Sequence, residues 1–444
     1  MQPLMKPPEY VSTLADGTVK QLNPFTGTEV WTVAGRGNRP LGIQRRDPQP
    51  LDPAQAGAHC VFCERRYRDT PPEKARVVRG ADGTWQTQRL TMAEDLNATV
   101  AEFRRIPNLF EILSYNYWHA NYGYTLNDQL RAHAGAYLAQ AAGRAHLDQV
   151  LRGKLKAMGV TDPNPTEADL LEAAHGFFAS GHDVIVARRH FVDGATDDAA
   201  LASAGSLSLE EHRQFLGLTV EAAQDLFAQN RYARYVAVFQ NWLRPAGASL
   251  DHLHKQLVAI DERGVQHGLA LERLRANPDM YNEDAANYAA FKNLVIAENE
   301  FALAFAGYGH RYPTIEIYSK SEAPDPWDHR PAELTDMSNM IHAMHAATGV
   351  DVPCNEEWHY RPIDSEAPMP WRVILKWRIS TLAGFEGATK IYLNTIDPYS
   401  LRDRVVPVLY QLRSAGAIAQ DIKIATECDC RPNPLRYTVN RKGE

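Results

Sequence analysis

A chain of 444 residues is too long for one ordinary domain, so two domains or two fused repeats are expected. Its net charge of −7 is not typical of a nucleic-acid-binding protein, which carries a basic face, and no apolar run reaches the roughly 18 residues that span a membrane. Because the N-terminus has no apolar signal core, the five cysteines are predicted to be reduced thiols or metal ligands in a cytoplasmic protein.

The first motif in the chain joins a turn to a basic loop. Asn-Pro-Phe-Thr-Gly at residues 23–27 predicts a turn, and the alternating run at residues 29–33 predicts a strand. Arg36 and Arg39 follow, between glycines and before a proline. Their guanidinium groups can offer forked donors to a phosphate. On spacing alone, a solvated basic loop is the favoured alternative.

Cys60 and Cys63 form a Cys-x-x-Cys pair on a predicted tight turn. Two thiolates at this spacing match zinc ligation, and the same spacing also serves dithiol redox chemistry. No thioredoxin-like strand–helix–strand pattern surrounds the pair, which favours the metal. The sequence has no second Cys-x-x-Cys, so further ligands must come from elsewhere, with histidines as the candidates.

Beyond this pair the sequence combines a β scaffold with helices. Residues 103–113 read as a strand broken by a turn at Pro107-Asn108. Residues 124–179 are rich in helix-forming residues and contain a capping-box-like start at Thr166. We predict that residues 124–179 are a helical insertion into a mainly β scaffold.

A buried strand at residues 182–187 is followed by His190, and a capping box at Ser208 opens a predicted helix. That helix reaches about residue 230 and leads directly into a β-rich run at residues 235–241. This half of the sequence is therefore predicted to be an antiparallel sheet with helices on one side.

The segment after that run contains His252, His254 and Gln256. If it is also extended, the period of two directs all three side chains to the same side. A strand that only buries apolar surface would not carry three such residues on one face. A surface strand with incidental histidines is the alternative.

The second half of the chain repeats this order of elements. Strands are predicted at 294–298, 301–305, 312–318, 357–363 and 372–378, helices at 331–348 and 400–415, and a glycine-rich loop at 382–389. The repeated order indicates an internal duplication. We predict an α+β fold of two repeats, with antiparallel sheets flanked by helices, comprising residues 1–262 and 263–444.

Five separated motifs resemble the galactose-1-phosphate uridylyltransferase branch of the histidine-triad superfamily. They are the NPFTG turn with Arg36 and Arg39, Cys60-Val61-Phe62-Cys63, Pro107-Asn108, the strand from His182 to His190, and the block from Phe239 to Gln256. Their order agrees with the family from about residue 20 to residue 260. In the second half the resemblance rests on Ala383-Gly384-Phe385-Glu386 and the strand pattern around it.

The resemblance implies a fold of two fused histidine-triad-like repeats and a role for each matching residue. His254 would attack the α-phosphorus of a nucleoside diphosphate sugar, and Gln256 would donate to a phosphoryl oxygen of the nucleotidyl-histidine. The other implied roles are phosphate binding by Ser249, Asn241, Arg36 and Arg39, nucleoside contacts by Asn108 and Phe62, a sugar contact by Glu386, and zinc ligation by Cys60, Cys63, His190 and His252. By analogy, the protein would be a homodimer.

The chemistry of these residues agrees with the implied roles. A neutral imidazole can attack phosphorus and later leave, which divides one transfer into two easier steps. Its attacking nitrogen is available when the other N–H donates to a carbonyl. Zinc with four protein ligands has no open position, so it would hold the strand in place rather than activate water.

Four residues depart from the family pattern. Leu253 and Lys255 replace the usual proline and glycine around His254, and Leu109 follows Asn108. Ser380 stands where the uridylyltransferases carry a lysine in their sugar loop, which puts a hexose substrate in doubt.

Three functions are therefore compared. The leading one is a nucleotidyltransferase that moves a nucleoside monophosphate from a nucleotide sugar to a sugar 1-phosphate or similar acceptor. The first alternative is a phosphorylase of ADP-sugars or dinucleoside polyphosphates, with inorganic phosphate as the acceptor. The second alternative is a noncatalytic nucleotide-binding protein.

Three further residues are candidate metal ligands. Cys428 and Cys430 form a Cys-x-Cys near the C-terminus, for which ordinary loop thiols are the favoured interpretation. His119 is an alternative to His190 as zinc ligand, and His190 is preferred because it follows the strand in the matching position.

Overall fold

The fold is that of a computed structural model, which describes residues 9–36 and 47–438. The strands are β1 Val11–Thr13, β2 Val19–Leu22, β3 Glu29–Thr32, β4 Ala75–Arg79, β5 Trp85–Arg89, β6 Ala101–Pro107, β7 His182–Ala187, β8 Tyr235–Trp242, β9 His254–Ile260, β10 Val295–Glu298, β11 Ala302–Gly307, β12 Thr314–Ser319, β13 Cys354–His359, β14 Arg372–Trp377, β15 Ile391–Leu393 and β16 Lys423–Ile424. The α-helices are α1 Tyr115–Tyr122, α2 Asp128–Ala139, α3 Ala141–Ala157, α4 Glu167–Ala179, α5 Leu209–Gln229, α6 Val265–Ala276, α7 Tyr288–Phe291, α8 Pro331–Thr348, α9 Gly384–Thr389 and α10 Pro398–Ser414. No helix within the described ranges is long and apolar enough to cross a membrane.

The described residues divide into two compact units. The first unit comprises residues 47–241 and 248–263, and the second comprises residues 9–36, 242–247 and 264–438. The N-terminal strands β1 to β3 belong to the second unit, where β3 pairs in parallel with β15. The division into repeats at residues 262 and 263 stays a prediction, and the compact units group the N-terminal strands with the later part of the chain.

Each unit contains an antiparallel sheet with the same strand order. In the first unit the order is β5-β4-β6-β7-β9-β8, and in the second it is β16-β10-β11-β12-β14-β13. If the edge strands β5 and β16 are set aside, both sheets follow the same order in the chain, 1-2-3-5-4. A helix lies between the third and fourth of these strands in each unit, α5 in the first and α8 in the second. The predicted α+β class, with antiparallel sheets flanked by helices, is confirmed.

The predicted helices form where their capping residues start them. Ser208 accepts a hydrogen bond from the N–H of Glu211 at 3.3 Å, and the Glu211 carboxylate accepts one from the Ser208 N–H at 2.7 Å. Thr166 and Asp169 make the same reciprocal pair at the start of α4. Each box satisfies N–H groups that have no partner inside the helix. The helical insertion is present as α1 to α4, between β6 and β7, and it begins before residue 124.

Buried ion pairs join the strands of the first unit. The Asp183 carboxylate on β7 accepts from Lys74 Nζ at 2.6 Å and from Arg105 Nε on β6 at 2.7 Å. Arg105 also reaches Asp225 on α5 at 2.6 Å. Because all the charges around Asp183 are compensated and hydrogen-bonded, these pairs hold β6, β7 and α5 in one arrangement. That arrangement fixes His182, the residue before Asp183.

Two predicted elements of the second half differ in the structure. The strand predicted at 357–363 runs instead from Cys354 to His359 and ends before Arg361-Pro362, because proline lacks the N–H that a ladder requires. The loop predicted at 382–389 contains the helix α9, Gly384–Thr389. Its start is stabilised by Glu386, whose carboxylate accepts from the Ala383 N–H at 3.1 Å.

Candidate active site and metal centre

Four predicted metal ligands converge in the first unit. Cys60, Cys63, His190 and His252 each offer one ligand atom, and these atoms all lie within 4.8 Å of one another. The two Sγ atoms are 3.8 Å apart, and His252 Nδ1 lies 3.3 Å from Cys60 Sγ and 3.8 Å from Cys63 Sγ. His190 Nδ1 lies 3.7 Å from Cys63 Sγ. This cluster could hold a metal ion.

The four separations given above, 3.3–3.8 Å, are close to those expected between the ligands of a tetrahedral metal ion. Bonds of about 2.3 Å to sulfur and about 2.0–2.1 Å to nitrogen place tetrahedral ligand atoms about 3.4–3.8 Å apart. His252 Nε2 lies 2.6 Å from the carbonyl of Ala187, to which it donates when Nδ1 serves as the ligand. Such a hydrogen bond orients a metal-binding imidazole. The donor set and its geometry therefore fit zinc.

His254 is the first residue of β9, and its side chain is buried. Its Nδ1 donates to the carbonyl of His252 at 2.6 Å, which assigns the proton to Nδ1 and leaves the lone pair of Nε2 available. Burial lowers the pKa of His254 to about 4, so the ring is neutral near pH 7. A neutral imidazole with an unprotonated Nε2 is chemically ready to act as a nucleophile.

Gln256 belongs to a hydrogen-bonded group of three side chains. Its Oε1 lies 3.0 Å from His182 Nε2 and accepts from Asn108 Nδ2 at 3.4 Å. The N–H of Ile112 donates to His182 Nδ1 at 3.2 Å, which leaves the ring proton on Nε2. Burial lowers the pKa of His182, which keeps the ring neutral. His182 therefore donates to Gln256 Oε1, and the amide group of Gln256 is oriented as a donor.

The two faces of β9 differ in chemistry, as the alternation predicts. Lys255 is fully buried on the face opposite to His254, where its Nζ lies 4.9 Å from the ring centre of Phe215 on α5 and donates to Gln240 at 3.3 Å. His252 lies just before the strand rather than within it. The replacement of a family glycine by Lys255 therefore leaves the histidine face unchanged.

Phe62 lies between the two cysteines and packs beside the histidines. Its ring centre is 5.2 Å from that of His254 and 6.0 Å from that of His252, both in edge-on contacts. It also covers the apolar cluster of Ile106, Val184 and Val186 on β6 and β7. The Cys-x-x-Cys turn thus contributes an aromatic wall next to the imidazole of His254.

Asn108 connects this group to a cavity of the first unit. It follows β6, and its N–H donates to the carbonyl of His182 at 2.7 Å. The cavity has a volume of about 510 Å³ and is walled by Asn108 and by residues of the helical insertion, among them Tyr115, Leu151 and Phe177. The insertion therefore forms most of a pocket beside the Gln256 group.

The remaining predicted site residues occupy other positions. Asn241 lies at the end of β8, and Ser249 is exposed in the bend that precedes His252. Arg36 and Glu386 belong to the second unit, where they line a cavity of about 390 Å³ that also contains Ser380. Arg39 lies outside the described residues.

Sequence reasoning missed His182 as a site residue. It named this histidine only as the start of a strand, because the partner Gln256 is 74 residues away. A signal was present in the sequence, since a polar histidine at the start of an otherwise apolar buried strand has to find a hydrogen-bond partner.

Comparisons with known proteins place this site in context. A family described as "Domain of unknown function (DUF4921)" matches residues 14–437. An ADP-glucose phosphorylase of Arabidopsis thaliana is 26% identical over 387 residues, which cover 85% of this chain and 89% of that protein.

Two solved structures from Arabidopsis thaliana show the fold. A crystal structure of an ADP-glucose phosphorylase with bound ADP-glucose has 18% sequence identity and a TM-score of 0.55, and it covers 88% of this chain and 98% of its own. A GalT-like protein has 18% identity and a TM-score of 0.53, and it covers 87% of this chain and 98% of its own. The predicted resemblance to the uridylyltransferase-like branch is confirmed at the level of fold.

Proposed function

Because the chain belongs to the DUF4921 family and holds a buried neutral histidine beside an oriented amide donor, we propose that it is a nucleotide-sugar phosphorylase. In this proposal an ADP-sugar is the donor, inorganic phosphate is the acceptor, and a nucleotidyl-histidine is the intermediate. The observation that carries it is the hydrogen bond from His254 Nδ1 to the carbonyl of His252, which leaves Nε2 free for attack.

In the first half-reaction, His254 Nε2 forms a bond to the α-phosphorus as the bond from that phosphorus to the β-phosphate oxygen breaks. The electron pair of the broken bond leaves with the sugar 1-phosphate. Charge develops on the α-phosphoryl oxygens, where the amide of Gln256 can donate a hydrogen bond. Because His182 and Asn108 hold Gln256 Oε1, this amide need not reorganise during the reaction.

In the second half-reaction, an oxygen of inorganic phosphate attacks the same phosphorus and the bond to His254 Nε2 breaks. The products are a nucleoside diphosphate and the regenerated imidazole. A buried histidine of low pKa is a good leaving group, because it departs without first requiring a proton. Zinc bound by Cys60, Cys63, His190 and His252 would supply a rigid anchor for the start of β9, and it takes no part in these steps.

The nucleoside is proposed to occupy the pocket that begins at Asn108. This pocket adjoins the Gln256 group, and its volume of about 510 Å³ is ample for a nucleoside. Its walls come largely from the insertion helices α1, α3 and α4. In this proposal the insertion gives the first unit its base-binding surface. Phe62 packs beside the ring of His254.

Phosphate rather than a sugar 1-phosphate is proposed as the acceptor for two reasons. The relative that is 26% identical is an ADP-glucose phosphorylase, which favours the phosphorylase over the transferase that the sequence motifs first indicated. Ser380 also replaces the lysine of the uridylyltransferase sugar loop. Arg36 and Glu386 line the same cavity as Ser380 in the second unit.

The experiment uses ADP-glucose carrying the label on its α-phosphate, with UDP-glucose as the competing donor. We expect covalent labelling of the protein without phosphate, and release of labelled ADP when phosphate is added. Release that requires glucose 1-phosphate or galactose 1-phosphate instead would support the transferase. Nucleotide binding that survives His254→Ala, together with no labelling by either donor, would favour a noncatalytic nucleotide-binding protein.

A further inference from the structure

The second unit carries a row of cationic residues on one face of its sheet, of which Arg372 is buried and Lys376 and Arg378 are partly buried. Within β14, Arg372 and Lys376 lie on the same face, because the strand alternates with a period of two, and Arg378 continues the row. Arg372 is opposite Tyr318 of β12 and His359 of β13. A solvated strand could carry such residues without cost, but Arg372 is only 7% exposed.

Arg372 lacks hydrogen-bond acceptors for part of its guanidinium group. Its Nε and Nη1 atoms are buried and have no hydrogen-bond partner among the described residues. The group is held by aromatic rings, with the centres of Tyr281 at 4.9 Å, Phe25 at 5.4 Å and Tyr318 at 5.8 Å. Ring faces compensate part of the charge, but a buried N–H without an acceptor is destabilising. An acceptor from outside the chain is therefore favoured at this position.

The space beside Arg372 is a cavity of about 300 Å³ that two further arginines also line. Arg378 rests on the ring of Tyr312 at 4.6 Å and donates through Nη1 to Asn355 Oδ1 at 2.6 Å, and its buried Nε has no partner among the described residues. Arg311 is exposed and lies over Tyr312 and Tyr392, at 5.2 Å and 5.6 Å. Tyrosine rings thus hold both guanidinium groups at the cavity wall.

The carboxylates of the cavity do not neutralise these arginines. Glu357 accepts from Lys376 Nζ at 2.7 Å. Glu316 contacts His310 Nε2 at 2.8 Å and accepts from the hydroxyl of Tyr318 at 3.0 Å. Three arginines and one lysine face two glutamates around this cavity, so positive charge exceeds negative charge by two. A bare metal cation is disfavoured by this excess, whereas an oxyanion is favoured.

From this geometry we infer a second ligand site, in which the cavity of the second unit binds the phosphoryl group of a small phosphate monoester. The planar forks of Arg372 and Arg378 match the oxygens of a phosphoryl group, and Arg311 stands at the exposed side. A cavity of about 300 Å³ lies at the lower end of ligand-pocket sizes, which suits a phosphorylated monosaccharide and not a nucleotide sugar. The hydroxyls of the lining, including those of Thr26 and Thr28, can bind the hydroxyls of such a molecule.

This site does not depend on the proposed reaction. The face of β14 takes the place in the second sheet that the face of β9 takes in the first, yet it carries arginine, isoleucine and lysine instead of histidine and glutamine. The β14 face therefore has no histidine at the position of His254. The two histidines that line the cavity, His310 and His359, lie beside Glu316 and Glu357, so we infer binding of a phosphoryl group rather than its transfer.

The test is isothermal titration calorimetry of the full-length protein with two probes, glucose 6-phosphate and inorganic phosphate. Glucose 6-phosphate is used because its phosphate is not on the anomeric carbon, so it is a poor mimic of the proposed product. We expect Arg378→Gln to weaken binding of glucose 6-phosphate by at least tenfold. The matched control is Arg404→Gln, which removes the same charge from an exposed position of α10 and should leave affinity unchanged.

Arg311→Gln and Arg372→Met complete the series. Arg311 is exposed, so Arg311→Gln is expected to fold and keeps the test informative if Arg372→Met fails to fold. Tighter binding of glucose 6-phosphate than of inorganic phosphate would support a monoester ligand. Equal affinity for the two probes, or affinity that survives both Arg311→Gln and Arg378→Gln, would overturn the proposal. Because no turnover is measured, failure of the proposed phosphorylase would not affect the result.

Discussion

Strands β9 and β14 occupy the same place in two sheets of the same order, but their side chains serve different chemistry. Before and along β9, the residues are two histidines and a glutamine, one histidine in a cluster that could hold a metal and one with a free lone pair. Along β14, the corresponding face presents arginine, isoleucine and lysine, and the arginine rests against aromatic rings. A shared backbone therefore positions side chains equally well in both units, and the residue types alone decide what each face can do.

The two units also differ in what covers these faces. Between β6 and β7 the first unit inserts four helices, which wall a large pocket beside Gln256. The equivalent connection in the second unit, from Gly307 to Thr314, contains no helix, and its Tyr312 supports arginine side chains instead. The insertion thus gives the first unit a pocket of about 510 Å³ beside the Gln256 group, whereas the cavity beside β14 has about 300 Å³.

The largest expected effect tests whether the nucleophile lies on β9 rather than on β14. His254→Ala should abolish labelling from α-labelled ADP-glucose, with a loss of about 10⁴-fold or more, because no other group can take over as nucleophile. Single-turnover labelling followed by peptide mapping measures this loss. His175→Ala replaces an exposed histidine of the insertion and should label normally. Label recovered on a peptide of the second unit would contradict the assignment of the nucleophile to His254 on β9.

The second prediction concerns metal content. Wild-type protein should contain a single zinc ion per chain, and Cys63→Ser should lose it, because one thiolate of the cluster is removed. We expect a loss of about 2–5 kcal/mol in unfolding free energy, by analogy with other cross-links. Elemental analysis and thermal unfolding measure both effects. His119→Ala should keep the zinc, and a zinc-free wild-type protein would refute the assignment.

The third prediction is that a fall in pH lowers the stability of the helical insertion. His146 is buried between the Tyr137 hydroxyl at 2.6 Å and the Thr70 carbonyl at 2.8 Å, and burial lowers its pKa to about 4. A lowered folded pKa means that the unfolded chain binds the proton more readily, so stability is lost as pH falls from about 6.5 towards 4. This histidine should account for about 3 kcal/mol over that window.

The measurement is urea unfolding at pH 7 and pH 4.5, followed by a probe in the insertion. His146→Gln removes the titrating group but keeps an amide donor for Thr70, so it should show a smaller pH dependence than the wild type. Identical pH dependence in the two proteins would show that His146 does not limit acid stability.

The smallest predicted effect tests the orientation of Gln256. His182→Phe should slow nucleotidyl transfer by about 10–100-fold, because Gln256 loses the donor that directs its amide. His182→Gln restores an N–H donor and should recover part of the rate. Rapid-quench measurement of both half-reactions is the assay. If both variants react as fast as the wild type, the contact between His182 and Gln256 has no role in the chemistry.

The sequence predicts the elements of this fold well and the second ligand site not at all. Periodicity and capping residues such as Ser208 and Pro331 start helices where they are expected, because these signals are local. The cluster around Cys60 could be anticipated because it repeats a known pattern of motifs. Arg372 could not be, because an arginine on an alternating strand normally faces solvent. Its burial depends on rings that come from residues 25, 281 and 318, which no local pattern connects.

The cysteine and histidine cluster also has a consequence for how the chain folds. Cys60 lies 192 residues from His252, and Cys63 lies 127 residues from His190, so an ion bound there closes loops that span most of the first unit. Contacts at such separations form late, after the intervening strands have paired. During synthesis the two thiols emerge well before their histidine partners. Binding of the ion would therefore be the last step in folding of the first unit. The metal would stabilise a fold that has already formed rather than nucleate it.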